Sequence, residues 1–163
     1  MGARRQAREA ALQILYLVDV SGFELEKAAK ACWTENPLAT RARAFADELA
    51  KGTVENRPLI DSFITKYAEN WEIARMAAVD RNILRMTAYE LLFRRDTPVS
   101  VAIDEAVEIA KTYSTVDSGK FVNGILDKIK LERENPEVLA LLPPPPAAAD
   151  GEVPAAPVPD PQP

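Results

Sequence analysis

The stretch ILRMTAYELLF, residues 83–93, is apolar in nearly every helical direction. Ile83, Leu84, Met86, Ala88, Tyr89, Leu91, Leu92 and Phe93 leave it almost no polar face, and a helix of that kind belongs in the middle of a bundle. Neither this run nor any other shows sustained period-2 alternation rich in β-branched residues, so strands are not expected. The stretch predicts an all-α protein arranged around a central helix. Arg85 interrupts it. A guanidinium among apolar neighbours must find a carboxylate or another anion, or reach water. An ion pair between helices, an RNA phosphate and a partner's acid all meet that need.

Working outward, the central segment extends from about 71 to 95, interrupted near 77–80 and stopped at Thr97-Pro98. Asp80 suits a helix start as a cap. Arg81 beside it opposes the positive helix end unless an anion is present. Trp71 reads either as a core tryptophan or as an indole offered to a base. Upstream, amphipathic helices are expected over 4–20, 24–33, 38–55 and 58–69, punctuated by Ser21-Gly22, Asn36-Pro37 and a first-turn Pro58. Downstream they are expected over 100–113 and 117–133, capped by Ser100 and Asp117 and ended by Asn135-Pro136. Seven helices with short connections make a compact bundle. Gly124 lies inside the last pattern, where it costs about 1 kcal/mol against alanine, and close backbone packing would explain it.

Composition divides the 163-residue chain in two. Nine of its 13 prolines fall in 143–163, which is expected to be a disordered, Pro/Ala-rich tail, leaving residues 1–142 as the folded domain. No apolar run approaches the roughly 18 residues of a membrane span, and the arginine-rich start does not resemble a signal peptide. The single cysteine, Cys32, suits a reducing cytoplasm. There is no histidine and no glycine-rich phosphate loop, so no metal or cofactor and no enzyme activity are expected, with carboxylate-only or lysine chemistry the alternative left open. Net charge is −5. All 20 basic residues lie before residue 143, and three of the 25 acids (Asp150, Glu152, Asp160) lie after it, which leaves the folded part at −2. Such a domain binds nucleic acid weakly unless it has a local basic patch or a basic partner.

The first helix has two stripes. Ala7, Ala10, Ala11, Ile14, Leu15 and Val18 form the apolar one that faces the core. Arg5, Arg8, Leu12 and Tyr16 form a second on the opposite side, where solvent is expected. Arginine beside an aromatic suits single-stranded RNA, with charge for phosphate and a flat face for bases. It equally suits a protein partner. A third reading packs Tyr16 under another helix and pairs the arginines with acids such as Glu9. Lys120, near the start of the last helix, opposes the dipole unless it serves a bound anion; an exposed lysine without a role is the alternative.

Four strings then fit one family: RRQAREAALQILYLVD (4–19), NWEIARMAAVDRNILRMTAYEL (70–91), VAIDEAVEIAKTY (101–113) and DSGKFVNGILDKIK (117–130). They closely resemble the NusB family of bacterial transcription antitermination factors, over about residues 4–131. The resemblance implies about seven helices in two small helical halves and no catalysis. It implies binding of the single-stranded boxA element of ribosomal RNA leaders together with NusE, a small-subunit ribosomal protein, with NusA, NusG and RNA polymerase joining indirectly. Carried onto this chain, it marks Arg4, Arg5 and Arg8 as RNA contacts, with Gln6 where arm positions are often basic. It places Tyr16, Asp80, Arg85, Asp117, Lys120 and Phe121 near the joint RNA and NusE surface, and Lys66 and Tyr67 in a more loosely matched RNA-facing region; Arg81 joins the candidate RNA contacts. Whether the free protein is a monomer or a homodimer stays open. The competing expectation is a helical adaptor that binds only protein.

Overall fold

The computed structural model describes residues 2–142, and the tail expected over 143–163 lies outside the described residues. Its elements are α1 (Ala3–Val20), α2 (Leu25–Glu35), α3 (Thr40–Glu55), α4 (Arg57–Tyr67), a 3-10 turn (Ile73–Arg75), α5 (Ala78–Phe93), α6 (Val99–Tyr113), α7 (Val116–Ile129), a 3-10 stretch (Lys130–Glu134) and α8 (Pro136–Leu141). No strand occurs among the described residues. The expected stop after α1 is a glycine cap. Gly22 takes φ +70°, the left-handed turn that ends a helix, and the Phe23 amide reaches back to the Leu17 carbonyl at 3.3 Å.

α5 is the central helix, as its all-round apolarity requires. It packs against α1, α3, α4, α6 and α7. Ile83, Leu84, Met86, Ala88 and Leu92 are fully buried on it, alongside Ile14, Leu49, Ile60, Ile64, Ile109 and Leu126 from its neighbours. α1–α3 form one group and α4–α7 the other, with α5 touching both.

Several boundaries differ from the sequence reading, each for a local reason. The described residues form eight α-helices, because Asn135-Pro136 starts a helix rather than only ending one: Asn135 accepts from the Glu137 amide and Pro136 occupies the first turn. α7 is capped by Thr115, whose hydroxyl accepts from the Ser118 amide at 2.9 Å; Asp117 sits inside the first turn instead. Lys120 therefore falls beyond the first turn, and its conflict with the dipole largely disappears. Ser100 and Asp80 are not caps either, since the backbone caps are Pro98 and Ala77. Gly124 is exposed, and a Cβ there would meet nothing within 4 Å. The glycine that does permit close approach is Gly52, whose missing Cβ leaves room for the Tyr89 ring. Trp71 is not in the core: it is 56% exposed.

Candidate nucleic-acid and partner surface

The second stripe of α1 is not an open ridge. α2, α3 and α5 all pack on α1, so Leu12 is buried and Arg8 is only 4% exposed. The helix's outward line is instead Gln6, Glu9, Gln13, Tyr16 and Val20. The arginines and the tyrosine consequently belong to two different places on α1. Arg4 and Tyr16 are 12 residues apart, about 18 Å along a helix.

The first place is a shallow pocket of about 380 Å³ lined by Gly2, Arg4, Arg5, Arg8, Val101 and Glu105. It lies beside the starts of two helices: Gly2 precedes α1, and Val101 sits in the first turn of α6. Neither has a side-chain cap and neither carries an acid in its first turn. Their free amides and positive dipole ends favour an anion there. The three arginines play unequal parts. Arg8 donates from Nε and Nη2 to both oxygens of Glu90 at 3.0 and 2.6 Å, in a pair whose side chains are 5% and 1% exposed. Arg5 makes the same fork with Glu105 at 2.5 and 2.7 Å, in a pair open to solvent. Those hydrogen bonds raise the Arg5 pKa and lower that of Glu105. Arg4 has no carboxylate partner among the described residues. Its guanidinium lies 4.0 Å from the centre of the Phe45 ring, which Arg94 and Arg8 also approach at 4.8 and 5.4 Å.

The second place is an open groove of about 1010 Å³ along α1 from Gln6 to Leu17. Tyr16, Phe23, Leu38, Val79 and Tyr113 supply its apolar surface, and Glu9 and Glu35 its only charges. Its chemistry repels phosphate and suits an apolar or basic protein segment. Near the Val79 end, the buried Asp80 accepts from the Ser118 hydroxyl at 2.9 Å and so fastens the start of α7. Its other oxygen has no hydrogen-bond partner. Asp117 and Lys120 are exposed on α7. Half-buried Phe121 meets Trp71 edge to face, with ring centres 5.8 Å apart.

The remaining candidates are engaged internally. Arg85 is buried and bridges Asp61 (2.8 Å) and Asp19 (3.1 Å), which realises the ion-pair alternative. Arg81 binds Asp19 at 2.7 Å and donates to the Met76 carbonyl. Burial acts to raise the Asp19 pKa. The hydrogen bonds from Arg81 and Asn82, with the charges of Arg85 and Arg81, outweigh it and hold Asp19 at about 2. Lys66 pairs with Glu132 at 2.8 Å, and the Tyr67 hydroxyl donates to the same carboxylate. Glu132 is likewise held at about 2: burial opposes ionisation, but Asn135, Lys66 and Tyr67 overcome it.

Phe45, Glu90, Glu105 and Arg94 were missed in the sequence. Glu90 and Glu105 lie 82 and 100 residues from their arginines, so no local spacing reveals them. Phe45 reads from sequence as an ordinary core position of α3, and only the packing gathers guanidiniums around it. No helix among the described residues is long and apolar enough to cross a membrane.

The model of the NusB family matches residues 5–131. The chain is 51% identical over 130 residues to the transcription antitermination protein NusB of Geobacter sulfurreducens, a match covering 79% of this chain and 94% of that protein. T. maritima NusB superposes with a TM-score of 0.74 at 42% identity, over 85% of this chain and 97% of that one. A chain in a crystal structure of antitermination factors NusB and NusE in complex with double-stranded RNA gives a TM-score of 0.74 at 32% identity, over 79% and 96%.

Proposed function

The chain belongs to the NusB family of transcription antitermination factors, and from that premise we propose that it acts in the cytoplasm by binding the boxA RNA of ribosomal RNA leaders together with NusE. NusA, NusG and RNA polymerase are its indirect partners, and it works by tethering. RNA held beside the elongating polymerase raises the effective concentration of the other factors.

The observation that carries this reading is Arg4. It is a guanidinium without a carboxylate among the described residues, laid on an aromatic ring and lining a pocket beside the first turns of two helices that lack side-chain caps. That combination offers charge to phosphate. Arg4 and Arg5 are the phosphate contacts of this proposal, while Arg8 braces them from below and Lys120 contributes charge from α7. Arg81, Arg85, Lys66 and Tyr67 act through the fold. Tyr16, Phe121, Asp117 and Asp80 serve the NusE side, since the apolar and acidic groove at Tyr16 suits a basic protein. A folded part of net −2 with one small basic pocket binds RNA weakly alone, and a basic partner extends the positive surface.

The test is a salt-series titration of labelled boxA RNA with the chain alone and with NusE. Binding is expected to be stronger with NusE and to weaken as salt rises. Arg4→Ala should flatten the log–log salt slope by about 0.7 and leave thermal stability unchanged; Tyr16→Ala should weaken NusE capture without changing the fold. The groove favours one rival, a protein-only adaptor. It is the correct reading if the complex with NusE shows no salt-sensitive RNA binding.

A further inference from the structure

We propose that Glu105 is an internal competitor for phosphate. It fills the Arg5 fork in the free protein and thereby sets how readily that arginine reaches RNA. The inference rests on the RNA reading above and adds a residue of α6 that limits affinity. A guanidinium receives two carboxylate oxygens and two phosphate oxygens with the same pair of parallel N–H donors. Glu105 occupies those donors at 2.5 and 2.7 Å on the wall of the pocket that Arg4, Gly2 and Val101 share. The pair is open: both side chains are 24% exposed, so an incoming anion meets the same fork that the carboxylate holds. The neighbouring Arg8–Glu90 pair uses the same Nε and Nη2 fork but is sealed at 5% and 1%, so it cannot take part in such an exchange.

A displaced Glu105 is not stranded. Its Oε1 already lies 3.7 Å from Nη1 of Arg8, so the carboxylate has a second cation beside it when Arg5 turns outward. Exchange of carboxylate for phosphate therefore leaves no buried charge unpaired. Partly exposed ion pairs contribute little stability, so the exchange is within reach of RNA. Of the three arginines at this pocket only Arg4 has no carboxylate partner among the described residues, and Arg5 joins it where the RNA is well enough placed to compete.

The experiment compares Glu105→Gln with the wild-type chain, each with NusE, in boxA RNA titrations over a range of sodium chloride. The glutamine keeps the shape and removes the charge. Expected is a roughly two- to fivefold gain in affinity and a slope steeper by up to about 0.7, the contribution of one single-strand phosphate contact that Arg5 then makes without competition. Two controls isolate the mechanism. Asp104→Asn makes the same change in net charge one residue away, at an exposed position with no ion-pair partner among the described residues, and should leave affinity nearly unchanged. Adding Arg5→Ala to Glu105→Gln should abolish the gain. If the glutamine variant does not fold, Glu105→Asp, too short to span both Arg5 nitrogens, should give the same direction.

The inference is overturned if Glu105→Gln and Glu105→Asp bind no tighter than wild type, if Asp104→Asn gains as much, or if the gain survives without Arg5. Absence of salt-sensitive binding by wild type with NusE removes the RNA reading and this inference together. A wild type that binds, with variants that do not gain, removes this inference alone.

Discussion

Arg8→Ala should destabilise the fold before it says anything about RNA. Glu90 is 1% exposed and takes both oxygens' hydrogen bonds from Arg8, so removing the guanidinium leaves an uncompensated carboxylate at the centre of the bundle. Breaking a buried pair in this way costs about 3–5 kcal/mol, a large part of the roughly 5–15 kcal/mol that holds a domain together. With an unfolding entropy of about 2.1 cal/mol/K per residue over some 140 residues, each kcal/mol moves Tm by about 3–4 °C. The expected loss is therefore about 10–17 °C. The assay is thermal unfolding followed by far-UV circular dichroism, with Arg8→Met plus Glu90→Leu as the second variant. Replacing the whole pair by apolar groups of similar size is often neutral or stabilising, so the double variant should recover most of the loss. A drop of less than about 3 °C in Arg8→Ala, or a double variant no more stable than the single one, would refute the reasoning. An Arg5→Ala, Arg8→Ala double variant would therefore test the fold and the arm at once, whereas Arg4→Ala tests the arm.

Two glycines should behave oppositely under alanine substitution. At Gly52 the new Cβ would enter the Tyr89 ring, itself stacked on Phe93 at 5.5 Å, and such overpacking costs about 1–3 kcal/mol. At Gly124 the Cβ meets open space, so alanine should stabilise by up to about 1 kcal/mol. Urea midpoints in the reverse order would contradict both readings. Acid should weaken the protein through Asp19 and Glu132, whose folded values of about 2 lie below their ordinary 3.8 and 4.5. For depressed carboxylates the stabilisation is complete above the unfolded values and is lost as pH falls through the folded ones, so the window is about pH 4.5 to 2. Urea unfolding at pH 7, 4, 3 and 2 checks this. Asp19→Asn should flatten the dependence, and a wild-type stability that stays level across the window would count against it.

Helical periodicity made the all-α architecture legible in the chain alone. It located the central helix at 83–93, the core stripe of α1 from Ala7 to Leu15 and the glycine stop at Gly22, because these depend on neighbours within a turn or two. The candidate site was legible only as a set of residue types. Periodicity reports the direction in which a side chain leaves its helix but not what covers that direction. α1 is enclosed by α2, α3 and α5, so the stripe that should have faced water is closed at Arg8 and Leu12. What only the tertiary structure decided is the rank of three similar arginines: Arg8 sealed by Glu90, Arg5 loosely held by Glu105, Arg4 left free on Phe45. An arginine's availability depends on where the chain brings its counter-charge, and here those carboxylates arrive from more than eighty residues away.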